Sequence, residues 1–176
     1  MTARSSRSAR ARTDLAVIAT ASRPATMEWV KSLGADHVSD QAQPLGPQVA
    51  GLGLAQPGFL CSKTRTDRHF DDIAELIAQQ GRFCLLDDPD LSDFRKLERK
   101  SVSLHGELMF TRSVFEPSDI ANQHAILHEI SAMVDLGRFP TTLFERFGPI
   151  NTANLRRAHA LIESGQSRGK IVLESF

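Results

Sequence analysis

The chain has 176 residues, and its 21 lysines and arginines balance its 21 aspartates and glutamates, so the formal net charge at pH 7 is zero. A neutral chain has no global field to attract nucleic acid or anionic lipid, and neither is expected as a partner. No apolar run approaches the roughly 20 residues that span a bilayer. Cys61 and Cys84 lie in apolar runs without zinc-site spacing, which predicts buried thiols and a cytoplasmic location.

The first twelve residues differ in composition from the rest of the chain. They hold four arginines, three serines and no acidic residue. Organelle transit peptides share this composition, as do solvated extensions that bury no apolar surface. We favour the second interpretation, in which residues 1–12 form a basic, disordered extension.

Strand and helix patterns alternate after residue 13. Residues 15–20 are almost continuously apolar, as in a parallel strand covered on both faces. Pro24 and Gly34 suit the start and the end of a helix, and a short strand follows at 37–40. Residues 41–58 are rich in proline and glycine, which predicts a loop with at most a short helix.

The clearest helix lies between two further strands, at 59–62 and 82–86. Apolar residues repeat there with the i, i+3, i+4, i+7 spacing of one helix face, at Phe70, Ile73, Ala74 and Ile77. Gly81 ends this segment. The order strand, helix, strand is typical of a parallel βαβ unit.

The second half continues the alternation. Residues 101–110 alternate polar and apolar at first, which predicts a strand at a sheet edge. A helix is expected over 119–136, a strand over 141–148, a helix over 152–164 and a last strand after Gly169. The fold class is therefore α/β, with parallel pairing.

Several motifs in this order resemble the medium-chain dehydrogenase/reductase superfamily, and most closely its zinc-type alcohol dehydrogenase-like and quinone oxidoreductase branch. The motifs are Leu33-Gly34-Ala35-Asp36 with the strand His37–Asp40, Gly81-Arg82-Phe83, the strand 141–148, Asn154 to Gly165, and Gly169-Lys170-Ile171-Val172-Leu173. Residues 9–12 then resemble the end of the first helix of the family's Rossmann domain, and 15–20 its second strand. The resemblance covers only the C-terminal part of such an enzyme.

The resemblance implies a partial NAD(P)-binding Rossmann domain at 13–140 that lacks the first strand and the glycine-rich loop. It implies that 141–176 return to a GroES-like catalytic domain that is missing here. Without the first strand, the strands at 15–20 and 59–62 either pair directly or keep unpaired edges. The last two strands, at 141–148 and after Gly169, lose their sheet, although they can pair with each other.

The implied cofactor is NADPH. NAD enzymes place an acid after the second strand to bind the ribose hydroxyls, whereas Ser22 and Arg23 stand there and suit a 2′-phosphate. The alternative is that both residues only cap and solvate a helix. Other candidates for cofactor binding follow the strands or precede the last one: Ser62, Lys63, Thr64, Leu86, Asp87, Phe110, Thr111, Arg168 and Lys170. We assign no catalytic residue.

No metal site is assigned either. His124 and His128 lie four residues apart on the helix expected at 119–136, but the sequence offers no third ligand. A packed or solvated histidine pair is the ordinary interpretation.

Two hypotheses about function remain. The first is a truncated NADPH-dependent oxidoreductase, whose full-length relative transfers hydride to or from an alcohol, a carbonyl or a quinone. Because the glycine loop is the main pyrophosphate anchor, we expect weak or absent NADPH binding and no turnover by the isolated chain. The second is a non-catalytic α/β interaction module that forms a homodimer or binds a partner through the strand at 101–110.

Overall fold

The computed structural model describes residues 9–89 and 93–175. Its strands are β1 (Ile18–Ala21), β2 (His37–Asp40), β3 (Phe59–Ser62), β4 (Arg82–Leu85), β5 (Ser103–Gly106), β6 (Leu143–Pro149) and β7 (Lys170–Glu174). Its helices are α1 (Pro24–Ser32), α2 (Leu45–Ala50), α3 (Thr66–Leu76), α4 (Arg95–Glu98), α5 (Thr111–Phe115), α6 (Asn122–Asp135) and α7 (Thr152–Glu163). The α/β class predicted from the sequence is confirmed.

Three separate parallel sheets hold these strands. β1 pairs with β2, the order β3-β4-β5 forms the second sheet, and β6 pairs with β7. Within the described residues β1 and β3 do not pair with each other. Of the two outcomes expected for a chain without the first strand, the structure therefore shows unpaired edges on both strands. The last two strands pair with each other, as the sequence allowed.

The chain divides into two compact units, Met1–Ser131 and Ala132–Phe176. The division falls within α6, whereas the sequence placed the boundary after residue 140. Residues 9–12, expected in a disordered extension, form a helical turn that ends with the Thr13 N–H donating to the Ala9 carbonyl over 2.9 Å. This turn agrees with the family resemblance, which placed the end of a helix there. Residues 1–8 of that extension lie outside the described residues.

The Leu33–Asp36 motif closes α1 and attaches β2 to β1. Gly34 has a φ of +95°, a left-handed conformation that favours glycine, and a Cβ there would lie 3.3 Å from the Arg10 side chain. Asp36 then accepts a hydrogen bond from the Val17 N–H at 2.8 Å. The motif thus fixes where β2 begins beside β1.

The predicted apolar face of α3 forms the core of the second sheet. Phe70, Ile73, Ala74 and Ile77 are all buried, together with Phe83 of β4 and Leu97 of α4. The rings of Phe70 and Phe83 lie 6.4 Å apart, within the range of favourable aromatic pairs. This helix and its packing face are confirmed.

The strand predicted at 101–110 is shorter than expected. β5 covers only Ser103–Gly106, and residues 107–110 leave the sheet for a turn that leads into α5. All four residues of β5 are exposed. β5 is an edge strand, as predicted, but no layer covers it.

In the second unit, α7 follows β6 and is capped by a side chain. Asn151 precedes α7 and its side-chain oxygen accepts a hydrogen bond from the Asn154 N–H at 2.9 Å. Ala158 of α7 and Phe147 of β6 are buried, and the Arg157 guanidinium lies 4.2 Å from the Phe147 ring centre. Across 9–89 and 93–175, no helix is long and apolar enough to cross a membrane.

Candidate functional site

Polar side chains line a small pocket at the carboxyl ends of β1, β2 and β3. Its volume is about 110 Å³. The polar residues of its lining are Thr20, Gln41, Ser62, Lys63, Thr64 and His69. Ligands of open parallel sheets bind at this edge, so the pocket is the candidate site.

Three residues predicted from the sequence, Ser62, Lys63 and Thr64, line this pocket together. Thr20, Gln41 and His69 were missed. Thr20 lies in β1, Gln41 directly follows β2, and His69 lies in the first turn of α3. The carboxyl-end rule could have found the first two. His69 carried no signal, because its approach to the pocket depends on how α3 packs.

Below the pocket, Thr66 connects two strand ends to a helix. Its hydroxyl lies 2.6 Å from the Ser62 hydroxyl and donates to the Asp87 carboxylate. The same carboxylate accepts a hydrogen bond from the Thr66 N–H at 2.9 Å. Asp87 therefore binds an N–H group in the first turn of α3, which has no other side-chain cap.

This network determines what two of the predicted residues can do. The only hydroxyl hydrogen of Thr66 goes to Asp87, so Ser62 must donate its own to Thr66. Ser62 then offers only lone pairs to the pocket, which suits a hydroxyl donor better than a phosphate. Partial burial pulls the pKa of Asp87 upward, but the hydrogen bonds from Thr66 outweigh it and leave that pKa below its ordinary value.

The positively charged group of the pocket is Lys63. An ammonium beside the hydroxyl of Thr64 and the acceptor oxygen of Ser62 can bind an anionic and hydroxylated ligand. Because α3 begins at Thr66, the positive end of its dipole lies at the same edge of the sheet. The arrangement can therefore bind a polar ligand.

Ser22 and Arg23 follow β1 and are not part of the pocket lining. Ser22 is exposed and Arg23 is half-buried. Arg23 is the N-cap residue of α1, where its carbonyl accepts from the N–H groups of Thr26 and Met27 at 2.9 Å, and α1 has no side-chain cap. The backbone carbonyl of Arg23 thus accepts hydrogen bonds from the first turn of α1.

The remaining candidates of the first unit do not join the pocket either. Leu86 is exposed after β4, and its N–H donates to the Ser62 carbonyl at 3.0 Å. Phe110 is exposed and precedes α5, which Thr111 begins. The neighbouring Arg112 binds Asp119 at 2.8 Å and so fastens α5 to the turn before α6.

Arg168 and Lys170 lie in the second unit. The Arg168 guanidinium stacks over the Phe144 ring at 4.9 Å, and Lys170 begins β7, where its N–H donates to the Thr142 carbonyl at 2.8 Å. The first contact holds the Arg168 guanidinium against Phe144, a residue of β6. The second is made by the Lys170 backbone, and its ammonium takes no part in it.

The described residues do not form a zinc site. Nowhere in the described ranges do three or more histidine, cysteine, aspartate or glutamate side chains come together to hold a metal ion. The rings of His124 and His128 stack on α6 with their centres 6.1 Å apart, and both residues are exposed. We therefore derive no step through a metal. The hydroxyls and the ammonium of the pocket do fit part of a nucleotide.

The comparisons with known proteins agree with the motifs. The family model for zinc-binding dehydrogenases matches residues 33–173. The zinc-type alcohol dehydrogenase-like protein of Staphylococcus aureus (strain Mu50) is 31% identical over 163 residues, which cover 90% of this chain and 48% of that protein. The chain spans about half the length of the curated relatives it matches.

Solved structures of similar proteins also match this chain over about half of their own length. A proposed zinc-dependent alcohol dehydrogenase from Rhizobium etli CFN 42 is 56% identical, with a TM-score of 0.93 over 99% of this chain and 51% of its own. A mycobacterial protein solved with NADPH has a TM-score of 0.76 at 21% identity and covers 96% of this chain and 51% of its own. The second likeness shows the fold alone. The chain belongs to the zinc-binding dehydrogenase family, within the medium-chain dehydrogenase/reductase superfamily, and matches the part that carries the Rossmann-like fold.

Proposed function

We propose that the chain is the nucleotide-binding part of an NADPH-dependent oxidoreductase, which transfers hydride to or from an alcohol, a carbonyl or a quinone. The observation that carries this proposal is the pocket formed by Ser62, Lys63 and Thr64 at the carboxyl ends of the strands. Ligands of parallel α/β sheets bind at such edges. The family is one of oxidoreductases, and the mycobacterial structural neighbour was solved with NADPH.

The choice of NADPH rests on the end of β1. No acidic residue follows Ala21 before Glu28, and Ser22 and Arg23 occupy the turn where an NAD enzyme places an acid. Lys63 adds a second positive charge at the same edge of the first unit. The two cations, Arg23 and Lys63, favour a ligand with an additional phosphate.

We expect the isolated chain to bind NADPH weakly and to show no turnover. The 176 residues contain no G-x-G-x-x-G loop, which in this fold supplies backbone N–H groups for the pyrophosphate. We expect no turnover because the family resemblance places the catalytic groups of such an enzyme largely in its GroES-like domain, which these residues do not include. The substrate class is that of the family and is a proposal for the full-length protein.

The test is a titration of the purified chain with NADPH and NADH, followed by nucleotide fluorescence and thermal shift. Lys63→Ala and Arg23→Ala should weaken NADPH binding, while Arg68→Ala, which removes an exposed cation of α3 outside the pocket, should not. Equal affinities for the two nucleotides would contradict NADPH selection. If the wild-type chain binds neither, the pocket alone does not hold the nucleotide and the proposal for this chain fails.

A second candidate function, self-association through β5, is favoured by exposed apolar residues. The N–H groups of Ser103 and Glu107 donate to β4, so the backbone groups of Leu104 point to the unpaired edge. Leu104 is 44% exposed, and the segment that follows exposes several more apolar side chains: Leu108, Met109, Phe110, Val114 and Phe115. An exposed edge with apolar residues pairs readily with a second copy.

Light scattering after size-exclusion chromatography tests this candidate. A homodimer should dissociate when a charge is placed on the edge by Leu104→Lys. The control Ser103→Lys adds the same charge at a β5 residue whose backbone pairs with β4. A wild-type chain that stays monomeric at high concentration would exclude the candidate.

A further inference from the structure

Cys61 and Cys84 form a pair of thiols across the strands β3 and β4. The parallel register places Cys61 directly beside Cys84, and Leu60 beside Phe83. Leu60 and Phe83 pack into the core that α3 covers. Because side chains alternate along a strand, the two cysteines point to the opposite face of the sheet. Both thiols are half-buried, and neither is in a disulfide.

Hydrogen bonds hold the two thiols side by side. The Cys84 thiol donates a hydrogen bond to Cys61. The backbone beside them is paired as well, since the Ser62 carbonyl accepts a hydrogen bond from the Leu86 N–H at 3.0 Å. The sheet thus positions both sulfur atoms, and a ligand that binds the two does not have to order them first.

The spacing of the pair suits an ion between the sulfur atoms better than a bond between them. Neighbouring strands lie about 4.8 Å apart, and the side chains of paired residues leave the sheet nearly parallel to each other. A disulfide needs its two Cβ atoms about 3.8 Å apart, so closing it would pull β3 towards β4. A metal–thiolate bond is about 2.3 Å long, so an ion between the sulfur atoms spans roughly 4 Å without such movement.

The number of protein ligands selects the kind of ion. His105 of β5 is the next residue in the same row, because it pairs with Cys84, but its imidazole lies 3.2 Å from the Glu107 carboxylate. Within 9–89 and 93–175, no three side chains of histidine, cysteine, aspartate or glutamate form a group that could hold a metal ion, so the pair provides two ligands. Zinc sites and iron–sulfur clusters take four ligands, whereas Cu(I) is a soft ion that prefers thiolates and accepts two of them.

The charges around the pair also bear on a bound ion. A metal ion deprotonates the thiols that coordinate it, so Cu(I) and two thiolates together carry one negative charge. The Lys63 ammonium, two residues after Cys61, lies within electrostatic reach of Cys84 and favours its thiolate. Glu107 acts in the opposite direction, and its carboxylate contacts His105. One cation and one histidine-bound carboxylate leave the charge of the complex partly compensated.

We propose that Cys61 and Cys84 form a two-thiolate binding site for a soft monovalent cation, Cu(I), on the face of the sheet away from α3. The ion replaces the two thiol protons and the hydrogen bond between the sulfur atoms. It adds a link between β3 and β4, next to Ser62 and Lys63 of the polar pocket. The site needs no residue outside these two strands and does not depend on nucleotide binding.

Competition with the coloured Cu(I) chelator bicinchoninate tests the site, without oxygen and with a phosphine to keep the thiols reduced. The full 176-residue chain should take one Cu(I) per chain from the chelator and keep it in a large excess of glutathione, which offers only single thiols. Cys61→Ser and Cys84→Ser should each bind Cu(I) roughly 10²-fold to 10⁴-fold more weakly, the gain that two linked binding groups provide. X-ray absorption at the copper edge of the wild-type complex should show two sulfur neighbours and no nitrogen.

A variant with the same number of thiols is the matched control. Cys84→Ser combined with His105→Cys moves one thiol to β5, in the same row but at twice the strand spacing from Cys61, about 9.6 Å. We expect this variant to bind Cu(I) as weakly as Cys84→Ser alone. His105→Ala, which changes an exposed side chain, should bind Cu(I) as the wild type does. Circular dichroism of the metal-free variants checks that each is folded.

Other outcomes would overturn the proposal. Loss of Cu(I) to glutathione would show adventitious binding by ordinary thiols. Wild-type affinity in either single cysteine variant would show that one thiol is enough, and wild-type affinity in the variant with the displaced thiol would show that the register of β3 and β4 does not matter. Weaker binding by His105→Ala, or a nitrogen neighbour in the absorption spectrum, would replace the two-thiolate site with one of three ligands.

Discussion

Cys61 of β3 lies directly beside Cys84 of β4, because the register of the two parallel strands pairs these residues. Neither cysteine is in a disulfide, and both are half-buried. Partial burial, the nearby charge of Cys61 and the hydrogen bond that the Cys84 thiol donates to Cys61 together raise the pKa of Cys84 to about 11. The Cys84 thiol of this pair therefore resists ionisation.

We predict that Cys84 reacts slowly with iodoacetamide in the folded chain. The thiolate is the reactive form, and a pKa near 11 in place of 9.0 lowers its fraction at pH 8 by about a hundredfold. Timed alkylation followed by mass spectrometry of the peptide that contains Cys84 measures this rate. The rate should rise in urea and in the Cys61→Ser variant, which removes the neighbouring charge. Rapid alkylation of native Cys84 would contradict the suppressed ionisation.

Thr66 should contribute strongly to stability. Its side chain is fully buried and binds both Ser62 and Asp87. Thr66→Val keeps the shape of the side chain but removes its hydroxyl, so that Ser62 and Asp87 each lose a hydrogen-bond partner. This loss should lower the free energy of unfolding by about 1–3 kcal/mol. The exposed Thr64→Val is the matched control and should stay within about 0.5 kcal/mol of wild type. Urea denaturation measures both, and equal losses would refute the role of the network.

The hydrogen bonds between Thr66 and Asp87 also predict how the free energy of unfolding changes at low pH. The pKa of Asp87 is lower in the folded chain than in the unfolded chain, so its stabilising effect is present above the unfolded pKa. It is lost as the pH falls from about 4 through the folded pKa. Asp87→Asn should therefore flatten the dependence of unfolding free energy on pH in this window. An unchanged slope between about pH 5 and pH 3 would show that Asp87 does not titrate differently on folding.

Local patterns were sufficient to predict most elements. The apolar face of α3 and the glycine at the end of α1 depend on residues close in sequence, and both are found as predicted. β5 was predicted too long, because 107–110 continue its composition, but β4 ends at Leu85, whose carbonyl accepts from the Glu107 N–H, and gives residues 108–110 nothing to pair with. The composition of residues 1–12 predicted disorder instead of the helical turn found at 9–12, because this stretch is rich in arginine and serine.

The candidate site was predictable only in part. Ser62, Lys63 and Thr64 follow a strand, and the carboxyl-end rule therefore found them. The same rule also selected Asp87, which the structure uses to bind α3 through Thr66. A rule based on position does not reveal whether a carboxylate faces a ligand or a helix, because that depends on the packing of an element distant in sequence.

Two glycines should respond to alanine with opposite signs. A Cβ at Gly81 would lie 2.8 Å from the Ala78 carbonyl oxygen and 2.8 Å from Ile77 Cγ1, so the backbone between α3 and β4 would have to move. We expect Gly81→Ala to lower the free energy of unfolding by about 1–3 kcal/mol, the usual cost of overpacking. The result would explain why glycine stands before Arg82-Phe83 in the family motif.

Gly46 is the matched control, because it lies within α2 and a Cβ there would meet no atom within 4 Å. Gly46→Ala should raise the free energy of unfolding by about 0.4–1 kcal/mol, since alanine loses less backbone entropy on entering a helix. Urea denaturation of the two variants with the wild type gives both values. A stabilised Gly81→Ala variant would show that the turn before β4 is looser than the close approach of Ala78 and Ile77 indicates. A destabilised Gly46→Ala variant would show instead that α2 does not hold its helical conformation in solution.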